Sequence, residues 1–150
     1  SRGLGDVYKR QSDGTIYLEN YYVVADVGTI VNPIIVHGQL HGGVAQGIGQ
    51  ALLEKIAYDP DNGQTLTGSL LDYCLPRADD LPDFNITFNE VAEEDNPIGA
   101  KGAGESATSG APAAVMNAVA DALRHVGAEP IDMPASPEKV WRSLREAGVA

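Results

Sequence analysis

The stretch at residues 99–106, Gly-Ala-Lys-Gly-Ala-Gly-Glu-Ser, most constrains how this chain can fold. Glycine needs no room for a Cβ atom, so a backbone rich in it can approach a ligand closely or adopt positive φ. A helical apolar pattern follows, which predicts the carboxylate of Glu105 at a turn that opens a helix. Such a carboxylate is a better candidate for chemistry than a solvated surface acid. The alternative that Glu105 merely caps the following helix stays open.

Composition and charge exclude several classes of protein. The formal net charge is −11 and the sequence has no basic patch, which argues against a nucleic-acid binder. The sequence has no apolar run of about 18 residues, so it predicts no membrane span. Cys74 is the one cysteine, which excludes an internal disulfide or a multi-cysteine metal site. A lone cysteine fits a reducing compartment, and we expect a cytoplasmic location.

The first eleven residues, SRGLGDVYKRQ, differ in character from the rest of the chain. They hold three basic residues against one acid and lack apolar periodicity. We therefore expect residues 1–11 to be a foreign or disordered leader. Residues 12–150 are then expected to form one domain, or part of one.

The apolar patterns predict a mixture of strands and helices. Residues 14–27, 64–75 and 84–89 read as strands because they are β-rich or alternate. A first helix is predicted from apolar residues that recur every four positions, at Val44, Ile48, Leu52 and Ile56. A second helix follows Glu105, with Pro112 expected in its first turn. This mixture predicts an α/β fold in which helices cover a mixed sheet.

The first predicted helix contains Gly43, Gly47 and Gly49, and each glycine costs about 1 kcal/mol relative to alanine in a helix. One explanation is close packing against another helix or a sheet. Another is a smooth surface beside which Gln39 and Gln46 present their amides to a ligand. An amide donates and accepts hydrogen bonds, so it suits the edge of a heterocycle or a phosphate oxygen.

Several familiar chemistries fit the sequence poorly. His37 and His41 lie four residues apart but lack further ligands at a zinc spacing. Residues 102–107 match G-x-G-x-x-A, yet an acidic loop stands where a buried strand should precede a dinucleotide turn. The serines after Glu105 lie outside a G-x-S-x-G elbow. The remaining hypothesis is Glu105 as a general base with Lys101 as a nearby cation.

Three phrases resemble a known family. They are GQLHGGVAQGIGQALLE at 38–54, DYCLPRADDLP at 72–82 and NPIGAKGAGESATSGAPAAVMNAVADAL at 96–123. Together they resemble the C-terminal part of the large subunit of the molybdenum hydroxylases, the family of xanthine dehydrogenase, aldehyde oxidoreductase and carbon monoxide dehydrogenase. The resemblance covers about residues 12–148 and is closer to the bacterial three-subunit enzymes.

This resemblance implies a role for each matching residue. Glu105 matches the glutamate that acts as general base on a molybdenum-bound hydroxide, while hydride passes to a sulfido ligand. Gln39 matches a glutamine that hydrogen-bonds the pterin, and Gln46 lies in the adjoining helix. The loop that wraps the cofactor matches Lys101, Gly102, Ala103 and Gly104. The dithiolene of the cofactor holds the metal, so no protein metal ligand is expected.

The resemblance also implies cofactors and partners. The organic part is expected to be molybdopterin cytosine dinucleotide, with FAD on a medium subunit and [2Fe-2S] on a small subunit, in a dimer of heterotrimers. The substrate would be a small molecule: an aldehyde, an N-heterocycle, an acyl thioester or carbon monoxide. This segment should be inactive alone, because the other cofactor segments and the substrate loop lie upstream. Two alternatives are a nucleotide-binding module in which Glu105 is only a helix cap, and a scaffold subunit without chemistry.

Overall fold

The computed structural model of the chain describes residues 4–9 and 13–149, with side chains described from residue 13 onward. Its regular elements, in chain order, are β1 (Leu4–Lys9), β2 (Ile16–Ala25), α1 (Pro33–Leu52), β3 (Phe84–Phe88), α2 (Ser106–His125) and α3 (Pro137–Glu146). A short 3-10 turn at Ala78–Asp80 precedes β3.

The three described strands form one mixed sheet in the order β1-β2-β3. β1 runs antiparallel to β2, with Leu4 opposite Tyr22. β3 runs parallel to β2, with Phe84 opposite Tyr21. The side chains of β3 alternate between partly buried and exposed, as its sequence pattern predicts. The prediction of a mixed sheet with covering helices is confirmed.

The core lies where α1 and α2 pack on each other and on β2. Apolar side chains at helical spacing supply it, because positions three and four apart lie on one face. Burying each of these side chains stabilises the fold by roughly 1.5–3 kcal/mol. The largest fully buried side chains are Leu40, Val44, Ile48, Val115, Leu123, Val140 and Leu144.

Two element predictions are wrong. α1 ends at Leu52, and Ile56 lies beyond it with its side chain 56% exposed. Residues 64–75 form turns rather than a strand. There the Ser69 hydroxyl donates to Asp72 Oδ2 at 2.7 Å, and Tyr73 N donates to Ser69 O at 2.9 Å. Local hydrogen bonds of this kind compete with a sheet ladder, and the β-rich composition did not reveal them.

Pro112 lies inside α2 rather than in its first turn, because the helix begins at Ser106. A proline in a helix interior removes one backbone hydrogen bond, and its ring lies where the amide hydrogen would be. A Cβ atom at Gly47 of α1 would lie 2.9 Å from Pro112 Cδ, so the glycine leaves room for this ring between the two helices.

Residues 4–9 lie within the segment expected to be a foreign or disordered leader, and they form β1. The remaining residues of that segment lie outside the described part of the chain. The origin of the segment and the 12–150 domain boundary stay predictions.

Candidate functional site

A short bridge fixes the start of the glycine-rich loop to the end of β2. Lys101 N donates to Val27 O at 2.9 Å, and Thr29 N donates to Gly99 O at 2.9 Å. Gly28 and Gly99 adopt positive φ, 65° and 66°. A Cβ atom at Gly28 would lie 2.9 Å from Lys101 N, so only glycine allows this close approach.

The Asp26 carboxylate joins the same region through its side chain. Its Oδ2 lies 2.7 Å from Lys101 Nζ, and its Oδ1 accepts Gly28 N at 3.0 Å and Val91 N at 3.2 Å. The hydrogen bond from the Lys101 ammonium, followed by that from Gly28 N, lowers the pKa of Asp26 to about 2. The amine predicted to be a nearby cation for Glu105 is therefore engaged by Asp26.

Asn96 braces the loop from its other side. Its Nδ2 donates to Ala100 O at 2.9 Å, and its Oδ1 accepts Ala100 N at 3.2 Å. Both hydrogen-bonding groups of the Ala100 backbone are thereby satisfied within the loop. These hydrogen bonds fix the path of the chain from residue 96 to residue 101, which leads directly into the segment that carries Glu105.

Glu105 occupies the N-cap position of α2, but its side chain makes no capping hydrogen bond. Its backbone oxygen accepts Ser109 N at 3.0 Å, which starts the helix. A capping side chain would accept a hydrogen bond from a backbone N–H in the first turn. The position therefore agrees with the cap alternative, while the carboxylate is not used as a cap.

Gln39 connects α1 with the glycine-rich loop. Its Nε2 donates to Gly104 O at 3.0 Å, across 65 positions of sequence. The two segments singled out in the sequence therefore meet. They border a cleft of about 370 Å³ lined by Gly38, Gln39, Gly42, Gly43, Gln46, Gly104, Glu105 and Thr108.

The cleft contains four of the predicted site residues, Gln39, Gln46, Gly104 and Glu105. The other three are placed differently. Lys101 turns to Asp26, the Ala103 side chain packs against the core, and Gly102 has no atom near its Cβ position.

Four of the five glycines of α1 form two pairs, and the fifth, Gly49, packs against Pro76 in the loop before β3. A Cβ atom at Gly43 would lie 2.8 Å from Ala107 Cβ, and one at Gly47 would lie 2.5 Å from Ala111 Cβ, so both allow α2 to pack closely. A Cβ atom at Gly38 or Gly42 would meet no heavy atom within 4 Å. The packing explanation therefore holds for the first pair, and the second pair faces the open cleft.

Sequence reasoning missed Asp26, Asn96 and Thr108. The signal for Asp26 was present, since a carboxylate ends a β-rich run two residues before a glycine turn. Its partner Lys101 lies 75 positions away, and no local pattern connects them. Asn96 and Thr108 resemble ordinary turn and helix residues until the fold is known.

Within residues 13–149, no group of three or more histidine, cysteine, aspartate or glutamate side chains could hold a metal ion. The rings of His37 and His41 lie 4.4 Å apart, and His41 Nδ1 lies 3.0 Å from His37 O. Among the described helices, none has the length and hydropathy needed to cross a membrane.

Comparison with known proteins gives concordant results. Residues 9–82 match the family described as "Molybdopterin cofactor-binding domain". The nicotine 6-hydroxylase large subunit of Paenarthrobacter nicotinovorans is 47% identical over 88% of this chain, and the match spans 16% of that protein. The carbon monoxide dehydrogenase large chain of Hydrogenophaga pseudoflava is 36% identical over 93% of this chain and 17% of its own length.

A solved structure supports the same similarity. The structure of quinoline 2-oxidoreductase from Pseudomonas putida 86 superimposes with a TM-score of 0.88 and 44% identity, covering 93% of this chain and 18% of that one. Sequence and fold thus place the chain with proteins of the molybdopterin-binding class. The chain resembles part of the molybdenum hydroxylase large subunits, and it spans about a sixth of the length of these relatives.

Proposed function

We propose that this chain is the C-terminal cofactor-binding segment of a molybdenum-dependent oxidative hydroxylase and that Glu105 is its general base. The observation that carries the proposal is the cleft in which Gln39 and Glu105 come together from segments 66 positions apart. The family match and the relatives described above support the class of reaction.

The residues of the cleft fit a large organic cofactor. At Gly38 and Gly42 the backbone of α1 lines the cleft without a side chain, and the Cβ positions of both residues lie in open space. Two glutamine side chains on the same helix, Gln39 and Gln46, border that backbone. Amides beside an unobstructed backbone suit the flat, hydrogen-bonding rings of a pterin or a cytosine dinucleotide.

When bound, the molybdenum group supplies the redox chemistry and an activated water. Gln39 would orient the group through its amide, and Gln46 would contact it from two turns further along α1. The carboxylate of Glu105 would accept the proton that the activated water loses when it attacks the substrate carbon. Its exposed position at the mouth of α2, with no capping bond to hold it, leaves the carboxylate available for this role.

The complete enzyme is proposed to carry molybdopterin cytosine dinucleotide on this subunit. FAD and [2Fe-2S] are proposed on a medium and a small subunit, in a cytoplasmic dimer of heterotrimers. Relatives named as subunits of larger enzymes support this arrangement. The substrate is proposed to be an aldehyde, an N-heterocycle, an acyl thioester or carbon monoxide.

The test uses the full-length large subunit co-expressed with its partner subunits. Wild type and Glu105→Gln are compared for molybdenum content and for turnover of a panel of aldehydes, N-heterocycles, acyl thioesters and carbon monoxide. We expect equal molybdenum and a loss of turnover of about 10³-fold or more, because the amide cannot accept a proton. The substrate that wild type turns over also selects among the proposed classes.

Asp121→Asn is the matched control, since Asp121 is an exposed acid on α2 outside the cleft. It changes the charge by the same amount and should leave turnover unchanged. Equal turnover in wild type and Glu105→Gln would overturn the base assignment and make Glu105 a structural residue. A wild-type subunit that binds nucleotide without molybdenum would instead support the binding-module alternative.

A further inference from the structure

We propose that Asp26 is a positioning residue that, through Lys101, fixes the loop bearing the base Glu105. This inference rests on the function proposed above and concerns a residue outside the cleft. Asp26 stands at the C-terminal end of β2, one residue beyond the last strand position. From there its carboxylate reaches three separate parts of the chain.

The contacts of Asp26 use both of its oxygens. Oδ1 accepts the backbone N–H groups of Gly28 and Val91, at 3.0 and 3.2 Å. Oδ2 accepts Lys101 Nζ at 2.7 Å, and the two charged side chains are 35% and 29% exposed. An ion pair that is partly withdrawn from water and anchored by backbone donors is geometrically better defined than a pair between free surface side chains.

The backbone contacts around the ion pair explain why it can act on the loop. Lys101 N is already bonded to Val27 O, so main chain and side chain of Lys101 are both held at the end of β2. Lys101 precedes Glu105 by four residues, so the position of Lys101 limits where the start of α2 and the base can lie.

The ion pair has a second effect on the site. It engages the ammonium group of Lys101 with a carboxylate other than Glu105. An opposite charge close to a carboxylate favours its ionised form and makes it a weaker base. The pair thus holds this cation on Asp26 while it fixes the loop.

The experiment compares Asp26→Asn, Lys101→Met and the double variant in the full-length enzyme with its partner subunits. Asparagine retains an oxygen for Gly28 N and Val91 N but cannot pair with the ammonium. Turnover is expressed per bound molybdenum, so that a loss of cofactor is not counted as a loss of rate. Hydrogen–deuterium exchange of peptides covering residues 27–29 and 99–106 is measured on the same samples.

If Asp26 positions the loop, each single variant should lower kcat by about tenfold with KM changed less than about threefold. The double variant should be no worse than the poorer single variant, because both substitutions remove the same interaction. The amides of Thr29 and Lys101 should exchange about tenfold faster, while peptides of α3 stay unchanged. Asp121→Asn again serves as the control of equal charge.

Wild-type kcat per molybdenum together with wild-type exchange in Asp26→Asn would overturn the inference, as would fully additive losses in the double variant. If Asp26→Asn does not assemble, Lys101→Met decides, since it leaves both backbone bonds of Asp26 intact. Failure of the proposed function shows separately, as wild-type turnover in Glu105→Gln. The exchange measurement does not depend on turnover.

Discussion

The two halves of α1 use the same residue type for different purposes. In the C-terminal half, Gly43 and Gly47 lie against Ala107 and Ala111 of α2, with no room for a methyl group. In the N-terminal half, Gly38 and Gly42 face open space along the cleft, each at a cost of about 1 kcal/mol relative to alanine. Packing among the described residues explains the first pair and does not explain the second.

The exposure of the side chains also changes along α1. Ile34 and Ile35 are 85% and 65% exposed, and Leu40 is the first fully buried side chain of the helix. Asn32 caps this exposed end, with its Oδ1 accepting Ile35 N at 3.2 Å. The first turn of α1 is therefore exposed and capped, and the helix enters the core from Leu40 onward. One helix thus contributes to the core and also lines the cleft.

The largest effect on the fold is expected for Gly47→Ala. The new methyl group would lie 2.5 Å from Ala111 Cβ and 2.9 Å from Pro112 Cδ, and neither neighbour has a flexible side chain. We expect α1 and α2 to separate and stability to fall by about 2–3 kcal/mol. Hydrogen exchange of buried α1 amides in the full-length subunit measures the change.

An unchanged exchange pattern in Gly47→Ala would mean that the helices repack easily and would remove the distinction between the two halves. Ala45→Ser is a useful companion variant. It adds a similar volume to a partly buried position between the two packed glycines and should have a much smaller effect.

Gly42→Ala tests the other half. The new methyl group would lie more than 4 Å from the described atoms outside its own helix turn, so the helix should gain up to about 1 kcal/mol from propensity alone. The same methyl group would project into the cleft, and we expect cofactor retention to weaken about tenfold, or 1.4 kcal/mol. Molybdenum content during dilution or chelation and the exchange of α1 amides are measured together. Improved stability with full retention would show that the cleft wall contacts no cofactor.

Gly49→Ala should have the smallest effect. A Cβ atom there would lie 2.9 Å from Pro76 Cδ and would also contact the Glu54 carboxylate. The Glu54 side chain can turn aside only by giving up the hydrogen bond that it accepts from the Tyr73 hydroxyl, while Pro76 lies in a loop, so we expect a loss of about 1 kcal/mol. A loss as large as that of Gly47→Ala, in the same exchange measurement, would show that the loop is as rigid as α2.

Much of the architecture could be predicted because its patterns are local. The helical apolar spacing of Val44 and Ile48 and the alternation of Phe84–Phe88 identified their elements. The end of α1 and the turns at 64–75 were missed, because the apolar spacing continued past the helix and the turns depend on side-chain bonds such as that of Ser69.

The candidate site was predicted in part for the same reason. Glu105 and Gln39 stand in unusual glycine-rich surroundings that are visible in the sequence. The attachment of Lys101 to Asp26 depends on a contact across 75 positions, which a single sequence does not specify. Likewise, which glycines pack and which face the cleft becomes evident only once α2 lies against α1. Binding by the predicted site residues stays a prediction until the variants are measured.

The hydrogen bond between Gln39 and Gly104 has a kinetic consequence. It closes a loop of 65 residues, and the entropy of such a closure opposes folding by roughly 4 kcal/mol. Contacts this distant in sequence form late, after local helices and turns. The cleft does not exist before α1 and α2 dock, because both helices line it. Under the proposed function, cofactor insertion would therefore follow the docking of these two helices.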